Sequence, residues 1–249
     1  MNAPPHSALS DAAALRAEYT GPTGYGLAYG SHATAATEPD SDLDLLLVTP
    51  HRLPPARVAT LREAVIDLHH RHRLRLDTEV AYDIKLTTTP RQVREALTLR
   101  GFPTTPGGRR RAPAVPASGS SLLGPFLNSP TFKLRLVLNA LSSPNVFLGG
   151  NLALYQRHQR AAETAVATLA VDLLDPTARF TLDQATLVLT TGPDGAREKD
   201  YLGYTCPPAL RSTLARGLQR LHQAGALATT DGLTWWQATT GGARPAVTG

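Results

Sequence analysis

The chain has 249 residues, 42% hydrophobic and 18% charged, with a formal net charge of +5. That is the composition of a globular chain able to bury one large core or two ordinary ones, and it excludes a wholly disordered protein. The lone cysteine, Cys206, excludes an intrachain disulfide and a cysteine-based zinc site.

The apolar runs, such as 45–48, are far shorter than the roughly 18 residues a membrane span requires. The start lacks the basic-then-apolar order of a secretory signal, so a cytoplasmic protein is expected. Among the basic residues only Lys85, Lys133 and Lys199 are lysines, an arginine bias that GC-rich coding explains. The net charge favours anionic small ligands but is too small to demand nucleic acid.

In chain order, Ser10-Asp11 ahead of 12–18 predicts a capped helix closed by Gly21-Pro22. Residues 25–29 form a short apolar segment entering Gly30-Ser31, a strand running into a helix start. Residues 43–48 predict a strand buried on both faces. In 56–72, Val58, Leu61, Val65 and Leu68 recur at helical spacing. His69, His70 and His72 at the end of that segment read as a solvated helix terminus rather than a metal cluster.

Residues 74–86 alternate, with Leu74, Leu76, Val80, Tyr82 and Ile84 on one side of a predicted strand. Arg75, Asp77, Glu79, Asp83 and Lys85 fall on the other. A helix is expected over 90–99. Residues 103–125, rich in Pro, Gly and Ser and holding Arg109-Arg110-Arg111, read as a linker or mobile loop. Beyond it, helical patterns occupy 131–141, 152–174, 182–189 and 208–221, and a small hairpin turns at Asp231-Gly232. Phe147-Leu-Gly-Gly-Asn151 and Tyr201-Leu-Gly-Tyr204 read as loops suited to lining a pocket. The expected domains are therefore 1–102 and 126–249, joined by 103–125.

The chemistry is concentrated in 29–46. Asp42 and Asp44 stand two apart on a predicted strand, so their carboxylates project from one face. Like charges beside so apolar a strand repel and lose hydration, and a divalent cation relieves both costs. Gly30-Ser31 lies where a strand gives way to a helix, a place where glycine lets a phosphate approach the backbone and serine offers a hydroxyl and an N–H. An anion cradle beside a carboxylate clamp is the equipment of metal-assisted phosphoryl transfer.

Gly-Ser, a spacer at 32–41, then Ser41-Asp42-Leu43-Asp44 resembles the DNA polymerase β-type nucleotidyltransferase superfamily. The chain departs from many members in having Thr34-Ala35 where they carry Arg-Gly, so a basic residue near the phosphates has to come from elsewhere. The resemblance implies an α+β fold, a mixed sheet with flanking helices followed by a mainly helical C-terminal domain. It also implies an enzyme that uses two Mg²⁺ ions and an NTP, with ATP the expected donor.

In that reading Gly30 and Ser31 hold phosphates, and Asp42, Asp44 and a third carboxylate hold metal. Glu79 is the first choice for the third, Asp77 the second and Asp83 the last. Lys85 is a candidate for the triphosphate. Two-domain antibiotic nucleotidyltransferases of the aminoglycoside type share this layout, and their helical domain supplies a general base and a phosphate-binding cation. Glu163 and Lys133, or Arg135 in place of Lys133, match those roles here. The expected acceptor is a small-molecule hydroxyl, with nucleic acid not expected as a partner.

Two rival readings remain open. One is a protein-modifying transferase of a toxin–antitoxin type, for which Arg216 and His222 have a suitable spacing. The other is a nucleic-acid-binding regulator with a winged helix over 214–236, although the hairpin lacks clustered basic residues.

Overall fold

The structure, a computed structural model, describes residues 5–33, 42–76, 85–98, 130–191 and 207–238. The expected linker, the Tyr201–Tyr204 segment and the carboxylates Asp77, Glu79 and Asp83 lie outside them. The described chain is α+β. Those residues up to Ala96, together with 130–158, make one compact unit; Leu97, Thr98 and those from Gln159 onward make another.

The first unit is built on a four-stranded mixed sheet in the order β3-β2-β1-β4. Strand β1 (Tyr25–Tyr29) lies antiparallel to both β2 (Asp44–Val48) and β4 (Asn145–Gly150). The two-residue β3 (Thr87–Thr88) runs parallel to β2. Both central strands are buried almost throughout, which explains why they read as apolar runs rather than as alternations.

Helices α1 (Pro5–Thr20) and α2 (Pro55–His72) cover one face of the sheet. Their Ala8, Ala12, Leu61, Val65 and Leu68 pack in one cluster with Leu43, Leu45 and Leu47. Helix α1 begins five residues before the expected cap. Asp11 is instead a mid-helix residue whose carboxylate accepts hydrogen bonds from Arg71 and His72 of α2. Helix α3 (Pro90–Leu97) opens on a reciprocal cap, in which Thr89 N–H donates to Gln92 and Gln92 N–H donates back to the Thr89 hydroxyl.

Two expectations change here. Residues 145–150 are an edge strand and not a pocket loop, because β1 has a second edge that β4 satisfies through a bulged antiparallel ladder. Asn151 then caps helix α5 (Leu152–Leu173) by accepting the Leu154 N–H. Consequently α4 (Pro130–Ser142), β4 and the start of α5 belong with the sheet, whereas the sequence pattern groups them with the C-terminal domain. In addition, of the expected strand over 74–86, the described residues 74–76 and 85–86 are not strand, and 77–84 lie outside the described residues.

The second unit holds the rest of α5, then β5 (Phe180–Thr181), α6 (Leu182–Thr191), α7 (Pro207–Gln223), β6 (Leu227–Thr229) and β7 (Thr234–Gln237). Its sheet has the order β5-β7-β6, all antiparallel. The hairpin turn is held by Asp231, whose carboxylate accepts the N–H groups of Leu233 and Thr234 at 2.8 and 2.7 Å. Among the described residues no helix is long and apolar enough to cross a membrane.

Candidate functional site

Strand β1 ends where β2 begins, so Tyr29 pairs directly with Asp44 and Gly30 follows at the corner. Gly30 has φ +76°, the left-handed region that glycine enters without steric cost. A Cβ built there would stand 2.7 Å from Asp44 Oδ2. The turn therefore brings an open stretch of backbone against the carboxylate, an arrangement that any side chain at position 30 would fill. Ser31 continues into a short 3₁₀ turn, Gly30–Ala33.

Period-two alternation sets the faces. Leu43, Leu45 and Leu47 point into the core under α1 and α2. Asp44, on the opposite face, is the half-buried start of a strand whose next four residues are fully buried. Asp42, two residues ahead of Asp44 and just outside β2, is also half-buried. At the far end of this face Tyr25 is closed in. Its hydroxyl hydrogen-bonds His158 Nδ1 at 2.9 Å, and Tyr155 packs edge-on against it with ring centroids 5.6 Å apart. Burial, and then the charges of Arg157 and Arg94, hold the His158 pKa down at about 4.

A histidine that the sequence pattern assigns to a solvated terminus supports this site from behind. His69, in the last turn of α2, is buried, and its Nε2 accepts the Leu43 N–H at 3.3 Å. Its Nδ1 donates to the Val65 carbonyl at 2.8 Å. Because a carbonyl can only accept and an amide N–H only donate, the two bonds fit the neutral ring with its proton on Nδ1. The helical period already contained the signal, since 69 is four residues beyond Val65 on the apolar stripe. The three histidines form neither a solvated terminus nor a ligand cluster: His72 bonds Asp11 at 2.9 Å, and only His70 is exposed.

The other candidates are placed as follows. Lys85 is buried just ahead of β3, and Lys133 and Arg135 are half-buried on α4, all in the first unit. Glu163 is in the second unit and almost fully buried. One of its oxygens accepts from Arg216 Nε at 2.7 Å and the other from Arg220. These arginines flank Gly217, where a Cβ would stand 2.3 Å from the Glu163 carbonyl, so α7 crosses α5 at a distance only glycine permits. His222 Nδ1 lies 3.0 Å from the Leu227 carbonyl, to which it donates. Arg216 and His222, the spacing noted for a toxin, thus join helix to helix and helix to strand.

Among the described residues no group of three His, Cys, Asp or Glu side chains gathers in a metal-binding arrangement. The described part of the candidate clamp is the pair Asp42 and Asp44. Compared with protein-family models, curated proteins and solved structures, the chain matches none.

Proposed function

We propose that the first unit is a nucleotidyltransferase, transferring the nucleoside monophosphate of an NTP, with ATP the expected donor, to a hydroxyl of a small acceptor. The observation that carries this reading is the corner at which Gly30, left-handed and without a side chain, faces the Asp44 carboxylate. The residues suit magnesium: Asp42 and Asp44 are hard oxygen donors two apart at a strand end, and the space beside Asp44 is the space a Cβ on Gly30 would occupy. Magnesium held by Asp42, Asp44 and Glu79, with Asp77 the alternative to Glu79, would neutralise phosphate charge and lower the pKa of the acceptor hydroxyl.

The chain's own groups account for the rest of the reaction. The Gly30-Ser31 backbone and the Ser31 hydroxyl receive phosphate oxygens, and Lys85 and Lys133 are candidates for the remaining charge. The acceptor hydroxyl gives its proton to solvent as its oxygen bonds to the α-phosphorus, the bond from that phosphorus to the bridging oxygen breaks, and pyrophosphate leaves. Calorimetry with a non-hydrolysable ATP analogue should show binding that needs Mg²⁺ and is lost in EDTA. Asp42→Asn and Asp44→Asn should abolish that binding and all transfer while keeping a cooperative melt. Equal affinity with and without metal would refute the reading. Labelled NTPs offered with antibiotics, tRNA and cell lysate would identify the acceptor.

The topology of the second unit favours one further reading. A helix, a strand, two helices and a hairpin, with β5 pairing the last strand, follow the order of a winged helix. Helix α7 exposes Arg211, Ser212, Arg216 and Gln219, side chains that read base edges, but the described hairpin carries Asp231 and no basic residue. Salt-dependent binding of duplex DNA would support this role, and its absence at low salt would remove it.

A further inference from the structure

The Leu43 N–H lies between the two candidate metal ligands, one residue beyond the last pair of the β1–β2 ladder, which ends at Tyr29 and Asp44. Leu43 is buried, so this N–H needs an acceptor within the protein. Helix α2 supplies it from the face opposite the carboxylates, through His69 Nε2. The ring is itself fixed by the bond from Nδ1 to the Val65 carbonyl and by the neighbouring Val65 and Leu68 of the α2 core. The chain is thereby held at Leu43, the residue between Asp42 and Asp44.

We propose that His69 is a positioning residue for the metal–nucleotide site: it sets the spacing and direction of the Asp42 and Asp44 carboxylates through the backbone, without touching the ligand. This rests on the nucleotidyltransferase reading. It accounts for an imidazole, rather than another leucine, at a buried position of an apolar helix stripe. It also links the register of α2 to the geometry of the carboxylate pair.

The test compares His69→Leu, which removes the acceptor, with His69→Gln, whose side-chain oxygen can reach the place of Nε2. The nucleotide probe is a non-hydrolysable ATP analogue, titrated by calorimetry at several Mg²⁺ concentrations and in EDTA, with thermal melts in parallel. In His69→Leu the Mg²⁺ needed for half-maximal nucleotide binding should rise about tenfold or more, the scale of one lost hydrogen-bond partner. His69→Gln should recover most of that loss. A role confined to stability would lower the melting temperature and leave the Mg²⁺ requirement unchanged, which would overturn the proposal.

Should His69→Leu fail to fold, nitrogen NMR of the wild-type protein decides. The Leu43 amide and His69 Nε2 resonances should shift together when Mg²⁺ and the analogue are added, and remain still with the analogue in EDTA. No shift in the presence of bound Mg²⁺ and analogue would overturn the proposal. If the wild-type protein shows no metal-dependent nucleotide binding at all, the transferase reading fails, and this inference fails with it.

Discussion

Replacing Gly30 by alanine tests the corner on which the functional reading depends. Position 30 has φ +76°, and an L-residue in the left-handed region costs roughly 1–2 kcal/mol. The added methyl would also stand 2.7 Å from Asp44 Oδ2, so the carboxylate has to turn away. That carboxylate ends a short side chain with two torsions, so the clash is relieved by rotation at modest energetic cost but with the oxygen in a new place. Stability should therefore fall by little more than the backbone amount. At about 2–4 °C per kcal/mol for a chain of this size, that is a drop in Tm of roughly 2–8 °C.

Function should respond far more strongly, with metal-dependent nucleotide affinity falling at least about tenfold, the equivalent of about 1.4 kcal/mol. Gly21→Ala is the internal control. Gly21 has φ +59° and nothing within 4 Å of where a methyl would stand, so this variant should lose similar stability and leave nucleotide binding intact. Thermal melts and calorimetry on the two variants separate the backbone effect from the Asp44 contact. If Gly30→Ala binds the Mg²⁺–nucleotide pair as tightly as the wild type, Asp44 and the Gly30 corner do not share a ligand and the reasoning fails.

Glu163→Gln distinguishes a structural ion-pair hub from a general base. The Glu163 side chain is 5% exposed while Arg216 and Arg220 are 52% and 30% exposed, so the arginines can turn to water once the charge is gone. Urea unfolding should show a loss near the lower end of the roughly 1.5–3 kcal/mol typical of bonds to charged groups, with turnover nearly unchanged. Unchanged stability with turnover reduced a hundredfold would instead identify the base. The His158 pKa is held at about 4 against an ordinary 6.5, so between those values the unfolded chain binds the extra proton and the folded one does not. Stability from this group is complete above about pH 6.5 and is lost as pH falls toward 4, on the order of 3 kcal/mol over the whole window. Melts between pH 5 and 7 should show this slope in the wild type and a flatter one in His158→Gln; equal slopes would refute it.

Elements whose signal is local were legible in the amino-acid order alone. Residues 25–29 read as a strand and 43–48 as a strand buried on both faces because their apolar runs leave little solvent face, and Asp42 and Asp44 read as sharing a side because a strand repeats every two residues. Gly30 was legible as the place where a strand gives way to a helix start, whereas its left-handed turn against Asp44 came only with the structure. Features that depend on partners distant in the chain emerged only when the elements packed together. The segment 147–151 reads as a loop until β1 offers Asn145–Gly150 an unpaired edge. Glu163 reads as a candidate general base, and the two guanidiniums on it emerge only when α7 passes at Gly217. His69 looks like one of three polar residues at a helix end until α2 docks against the sheet and the buried Leu43 N–H meets its ring. A hydrogen bond between residues 26 positions apart leaves no periodic trace in the sequence, because it is fixed by packing two elements together and not by the repeat of either one.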